Sequence, residues 1–453
     1  MRFLSLRCLI LGMMILAHMA IDNPFFSYRF FSYSRLHAEN ALKQSEKQSE
    51  KQYWPQWRGP NNDGISSEKN LPAEFSNKNN LLWSIDLPGM GSSTPIVWED
   101  KIFITYQKGT ELVLACYSTL GKPLWNQPMG QTDIGKVRQD EGNAASATCS
   151  TDGKHVYAFV GNGELGCFTL DGKKVWQFNT QKRYGKFNIQ FGMHSTPILY
   201  QDGLYLQLLY TGGAHVIALE KNTGKQIWKV ERTSDGRAEC EHSYASAMIW
   251  QNGKDAVLIS HGNDYAIGHD LKDGKELWRV GDLNPKKGYN PTLRFVSTPL
   301  ATSELIIIPT AKNGPVVALD PSARGKIGIG SKFEKWRIAH GTPDVPCPLL
   351  YNGLVYLCKE NGNLLCLDAK TGQLYYDQRT HGGRYRASPV LADGKIFLTC
   401  RDGTITVVKP GKEFERLAEN RLNDDFTASP AFANGQMILH GFKKLYAIGY
   451  KKQ

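Results

Sequence analysis

"LLWSIDLPG", residues 81–89, has the build of a strand that finishes something: a Trp inside an apolar run, closed by Pro-Gly. Nothing before it supplies partner strands. Far downstream, "HSTPILYQDGLYLQLLYTGGAHVIALEKNTGKQIWKV" (194–230) holds the same kind of strand, "QIWKV", in its full setting. There it follows three alternating segments, "STPILY", "LYLQLLY" and "HVIALE", cut apart by Gly turns. Alternation bounded by such turns reads as short strands. The unit recurs: aligned on the Pro of its Ser-x-Pro opening, copies fall at Pro95, Ala147, Pro197, Ala247, Pro299, Pro348, Pro389 and Pro430. Eight such four-stranded antiparallel units predict an all-β, eight-bladed β-propeller. The last copy, "FTASPAFANGQMILHGFKKLYAIGYKKQ", has three strands and no Trp-bearing fourth. "LLWSIDL" is that fourth strand, so the last blade is expected to be closed by the N-terminal strand near Trp83, which leaves no open ends to cap.

Trp83, Trp125, Trp176, Trp228, Trp278 and Trp336 then occupy equivalent outer-strand positions, with Tyr375 or Tyr376 in the sixth copy. Blades splay at the rim, and a flat ring burying about 150–250 Å² fills the wedge between neighbours. These residues are expected to dock blades rather than to stack carbohydrate. Cys116, Cys167 and Cys366 share a repeat position with Ala218 and Ala318, and Cys358 and Cys400 share a second, so most cysteines read as small core residues. One or two disulfides stay open.

Ahead of the repeats, Arg2 and Arg7 precede an apolar run from Cys8 to Ala17, the pattern of a signal peptide over 1–38. Cleavage is placed after Ala38, with Ala20 as the alternative. The run is short for a membrane span, so no transmembrane segment is expected after cleavage; an uncleaved anchor is the other reading. A polar linker follows over 39–52, then an N-terminal arm with two Trp over 53–78, then the propeller over 79–453. The net charge of +11 falls to +8 without the basic residues and the acid of the leader, a mild bias toward anionic partners. No Lys/Arg block is dense enough for nucleic acid, which is not expected as a partner.

Ala218, Glu220, Gly224 and Trp228 follow a spacing that Gly268, Asp270, Gly274 and Trp278 repeat, and that Cys366, Asp368 and Gly372 begin before ending in Tyr376. Here the sequence resembles the pyrroloquinoline quinone (PQQ) repeat family, over residues 79–450. That family includes quinoprotein dehydrogenases and BamB-type outer-membrane assembly lipoproteins. The resemblance implies a secreted or periplasmic propeller that binds or scaffolds protein partners at the cell envelope. Its alternative implication is a PQQ- and Ca²⁺-dependent alcohol or sugar oxidoreductase. Alcohol dehydrogenases of the family set a disulfide of adjacent cysteines against the quinone, and no two cysteines are adjacent here. There is also no Cys-x-x-Cys-His to attach haem.

In the family the residues just before Ser-x-Pro reach one mouth of the central channel. At those positions stand His194, Glu241, His242, Arg294, Asp344, Arg384, Arg386, Asp424 and Asp425. Arg294, Arg384, Arg386, His194 and His242 are the candidate cofactor-binding residues, since guanidinium groups grip carboxylate or phosphate bidentately and PQQ is a tricarboxylate. Asp344, Asp425 and Glu241 are the candidate Ca²⁺ ligands. Catalytic residues stay unassigned. The long connection 179–194 gathers Lys182, Arg183, Tyr184, Lys186 and Phe187, a pattern suited to an anionic polymer or a partner protein, so a propeller that binds envelope polysaccharide is a third reading, and an anionic small molecule is a further candidate ligand. Gly-x-Ser-x-Gly, Walker and His-Glu-x-x-His motifs do not occur.

Overall fold

The computed structural model describes residues 53–132 and 142–451. The expected signal peptide (1–38) and polar linker (39–52) lie outside the described residues. The strands form eight sheets, each built on four antiparallel strands. Blade eight consists of Ala431–Ala433, Gln436–His440 and Lys444–Ile448, and its outer strand is Leu81–Asp86. Trp83 lies opposite Ala447 and Ile85 opposite Leu445, so the two ends of the chain close the ring, as the sequence predicts. The inner strands are buried on both faces, as in Gly203–Tyr210, because each blade is sandwiched between two others. That is why they carry nearly continuous apolar runs.

Neighbouring blades are joined at the rim and at the channel. At the rim, the Trp of one blade donates its Nε1 proton to a turn carbonyl of the next: Trp83 to Thr119, Trp125 to Leu170, Trp176 to Lys221, Trp228 to Leu271 and Trp336 to Ala369, all within 3.0 Å. Its ring lies on the Gly of that same turn. A Cβ on Gly172 would fall 2.7 Å from Trp125, and one on Gly224 2.9 Å from Trp176. Tyr376, opposite Cys366, takes the Trp position in blade six. At the channel, the hydroxyl of the residue before the repeat Pro accepts a backbone N–H from the preceding blade. The series runs from Thr94 N to Thr148, then to Thr196, Ser246 and Thr298, through Cys347 Sγ, to Ser388 and Ser429.

This series corrects one alignment: Thr148 takes the place of Thr94, so Cys149, not Ala147, stands where blade one has Pro95. The insertion in the fifth copy also forms a strand, Gly325–Ile327, which pairs in parallel with the outer strand Glu276–Val280 of blade four. All eight cysteines of the described residues are free and buried, so no disulfide forms among them.

The arm over 53–78 packs onto the propeller. Trp54 is fully buried and exchanges two backbone bonds with Val97, and Arg58, also buried, donates to the carbonyls of Pro348 and Pro389. The Glu68 carboxylate accepts from the backbone of Asn434 and Gly435, and Leu71 donates to Asp393. The arm thereby spans blades one, six, seven and eight on the side of the turns between first and second strands.

Candidate functional site

Antiparallel order fixes which loops share a channel mouth. A linker into strand one and the turn between strands two and three lie at one end of a blade; the other two turns lie at the opposite end. The linkers carrying His194, Arg294, Asp344, Arg384 and Arg386 therefore meet the turns carrying Lys312 and Glu360. Together with Phe191 and Tyr244 these residues line a cavity of about 370 Å³. It adjoins the channel, which is lined by the hydroxyls of Thr148, Thr196, Ser246 and Ser388 and, from the arm, by Trp57.

The charged groups engage one another. Arg384 Nε donates to Glu360 Oε1 at 2.5 Å, while Arg386 stands 3.5 Å from the same oxygen and 3.6 Å from Asp344. Arg294 lies over the Phe191 ring at 5.1 Å and pairs with Glu239 at 3.0 Å. Burial raises the Asp344 carboxyl, with the Glu360 charge adding to it. Burial acts the same way on Glu360, but Arg386 and Arg384 outweigh it and hold that carboxyl low. His194 is kept neutral at pH 7, its pKa lowered to about 4 by burial. Its Nε2, Tyr244 Oη and Asp344 Oδ1 are buried and have no hydrogen-bond partner among the described residues. Among the described residues four cations and two carboxylates line the cavity, with Glu239 pairing Arg294 from outside it, and the guanidinium groups with the unmatched polar atoms beside them suit an anionic ligand presenting carboxylate or phosphate oxygens.

The mouth thus gathers His194, Arg294, Asp344, Arg384 and Arg386. His242 and Glu241 stand back from it: His242 Nε2 bonds Thr211 Oγ1 at 2.8 Å, and Glu241 ends a short 3-10 turn, Ala238–Glu241. Asp424 accepts from the backbone of Asp425, Lys443 and Lys444 and so braces a turn of blade eight. Asp425 is not among the cavity residues. Of the possible calcium ligands only Asp344 lines the cavity, and both it and Glu360 are held by arginine. As arranged they do not present the six to eight oxygens Ca²⁺ takes, although the arginines suit a polycarboxylate such as PQQ. In the 179–194 connection, which opens with a helical turn over Thr180–Tyr184, Arg183 donates to Gly224 and lies over Phe178, while Tyr184 is buried. Lys182 and Lys186 remain exposed.

The sequence profile described as outer membrane protein assembly factor BamB matches residues 161–411, more than half of the chain. The chain belongs to this family of PQQ-like propellers. Outer membrane protein assembly factor BamB of Escherichia coli K12 is 24% identical over 196 residues, which cover 42% of this chain and 44% of that protein. The match therefore spans less than half the length of that relative. Among solved structures, BamB from Moraxella catarrhalis superposes with a TM-score of 0.59 at 11% identity, covering 82% of this chain and 99% of that one. Quinohemoprotein alcohol dehydrogenase from Comamonas testosteroni gives a TM-score of 0.66 at 14% identity, covering 88% and 81%. Both likenesses establish the fold and leave the activity open. No helix among the described residues is long and apolar enough to cross a membrane.

Proposed function

We propose that this BamB-family chain is an exported, periplasmic binding or scaffold protein that acts in outer-membrane protein assembly. Its charged mouth would hold an acidic side chain or terminal carboxylate of a protein partner. The observation that carries this reading is the convergence of Arg294, Lys312, Arg384 and Arg386 on one cavity, to which the described residues contribute two lining carboxylates, Asp344 and Glu360. Arginines already oriented by Glu360 lose little side-chain freedom when a partner's carboxylate joins them. The test places a photo-cross-linking residue at Lys312 in the cells that make the protein. The expected result is a discrete adduct with an envelope protein that disappears when Arg384→Glu and Arg386→Glu are added. An adduct indifferent to that reversal, with the fold intact by circular dichroism, counts against the reading.

A second reading, a PQQ-dependent oxidoreductase, is favoured by the same cations sharing one cavity with the aromatic rings of Phe191 and Tyr244. Bound there, the quinone would supply the redox chemistry, with Arg294, Arg384 and Arg386 holding its carboxylates. Titration with PQQ and Ca²⁺, followed by Trp fluorescence, separates the two. Saturable binding lost in Arg384→Ala, Arg386→Ala would transfer the mouth to this second reading.

A further inference from the structure

Two segments of blade seven bring together three side chains that do not line the charged mouth. The linker into the blade carries His381, and the turn between its second and third strands carries Cys400 and Asp402. His381 Nε2 lies 2.9 Å from Asp402 Oδ2, and Cys400 Sγ completes a group whose three ligand atoms lie within 4.8 Å of one another. Among the described residues this is the one such group of His, Cys and acid.

The repeat does not demand it. In blade seven the turn is closed by Gly403 N donating to Cys400 O; in blades six and two the equivalent bonds run from Gly362 to Lys359 and from Gly163 to Val160. Cys400 therefore stands where other blades have Lys359 and Val160, one position away from the pairing with Cys358 expected from sequence. Asp402 stands where they have Asn361 and Asn162. His340, at the His381 position of the preceding linker, turns its Nδ1 to the Asn313 carbonyl at 3.3 Å. Blade seven alone of these combines imidazole, thiol and carboxylate. Gly383 lets the linker pass directly over the thiol, since a Cβ there would fall 2.3 Å from Cys400 Sγ and 3.1 Å from His381 Cδ2.

We infer that His381 Nε2, Cys400 Sγ and an oxygen of Asp402 bind one divalent transition-metal ion of the zinc class, with a fourth coordination position left open. Imidazole, thiolate and carboxylate together select such an ion over calcium or magnesium. Ligand atoms around a tetrahedral Zn²⁺ with bonds of about 2.0–2.3 Å sit roughly 3.3–3.8 Å apart. The His381–Asp402 separation is 2.9 Å and no separation in the group exceeds 4.8 Å, so shifts of about 1 Å or less would bring the three atoms to that spacing. Thiolate and carboxylate neutralise its two charges. His381 and Asp402 are partly open to solvent and provide the way in. Arg421 Nη1, 3.0 Å from Asp402 Oδ2, would orient the carboxylate from outside. An ion here would fix the linker that also carries Arg384 and Arg386. The inference does not depend on what the mouth binds.

The test is a Co²⁺ titration of the full-length, reduced protein, with absorption spectra as the readout and Zn²⁺ as competitor. One equivalent should bind with a thiolate-to-cobalt charge-transfer band that Zn²⁺ erases. Cys400→Ser should abolish the band, and His381→Ala should weaken Co²⁺ binding about tenfold or more. Absence of the band in the parent protein, or its survival in Cys400→Ser, overturns the site. Should the buried Cys400→Ser fail to fold, the partly exposed His381→Ala decides alone, because unchanged affinity there overturns the site equally.

Discussion

At the scale of single residues, the fold buries several imidazoles in neutral form. His261 lies against Phe295 with ring centroids 4.6 Å apart and planes at 15°, and burial lowers its pKa to about 3. His194, His269 and His440 are lowered to about 4 by the same cause. In the unfolded chain each returns to about 6.5. Between the folded and unfolded values the unfolded chain binds more protons, so stability is lost as pH falls through 6.5 toward 4. At pH 5 the upper figure is about 2 kcal/mol for each such residue. Asp344 and Asp424, whose carboxyls are raised by burial, act in the opposite sense. Substituting His261→Phe keeps a flat ring against Phe295 and removes one titration. Its denaturant midpoint should therefore fall less between pH 7 and pH 5 than that of the parent, and an equal fall in both would refute the assignment.

At the scale of elements, the joint between blades is a Trp ring on a turn glycine. Gly172 has φ +84° and no room for a methyl group beneath Trp125, whereas Gly394 has φ +67° and nothing within 4 Å. Both positions charge alanine for a left-handed backbone, about 1–2 kcal/mol. Gly172→Ala must in addition push the indole off its seat, about 1–3 kcal/mol more. A larger drop in unfolding midpoint for Gly172→Ala than for Gly394→Ala is expected; equal drops would mean that docking adds nothing. This joint was legible in the sequence because one chemical problem, the wedge at the rim, recurs in copy after copy with one solution. The mouth was only partly legible. Residues just before Ser-x-Pro located Arg294, Asp344, Arg384, Arg386 and His194, but Glu360 and Lys312 sit in Asn-Gly turns that read as ordinary connections. Strand parity was the signal that would have found them, since it sends those turns to the same mouth as the linkers. Glu241, His242 and Asp425 share the linker position yet do not line the cavity, because the backbone path of a linker is set by contacts outside the repeat. The extra strand Gly325–Ile327 was illegible for the same reason: its partner is the rim of another blade.

At the scale of the whole molecule, the N-terminal region does two separable jobs. Leu81–Asp86 completes blade eight by pairing with Lys444–Ile448, so without it that blade has an unpaired edge and the ring has no lock. The arm before it completes no sheet. It braces the propeller through the buried Trp54, the Arg58 bonds to the Pro348 and Pro389 carbonyls and the Glu68 contacts to blade eight. Burial lowers the Arg58 pKa, and a guanidinium so placed is costly unless its protons are matched. Carbonyls of Pro348, Pro389 and Asp63 match them, which ties the arm to two blades at once. Two truncations separate brace from lock. A chain beginning at Asn79 keeps every strand and should remain a monomeric propeller that unfolds cooperatively, at a midpoint several degrees lower. A chain beginning at Pro88 lacks the closing strand and should lose that cooperative transition or associate through the exposed edge of Lys444–Ile448. Size-exclusion chromatography and thermal circular dichroism read both outcomes. If the shorter chain were as stable and monomeric as the longer one, closure by the N-terminal strand would not be what holds the ring.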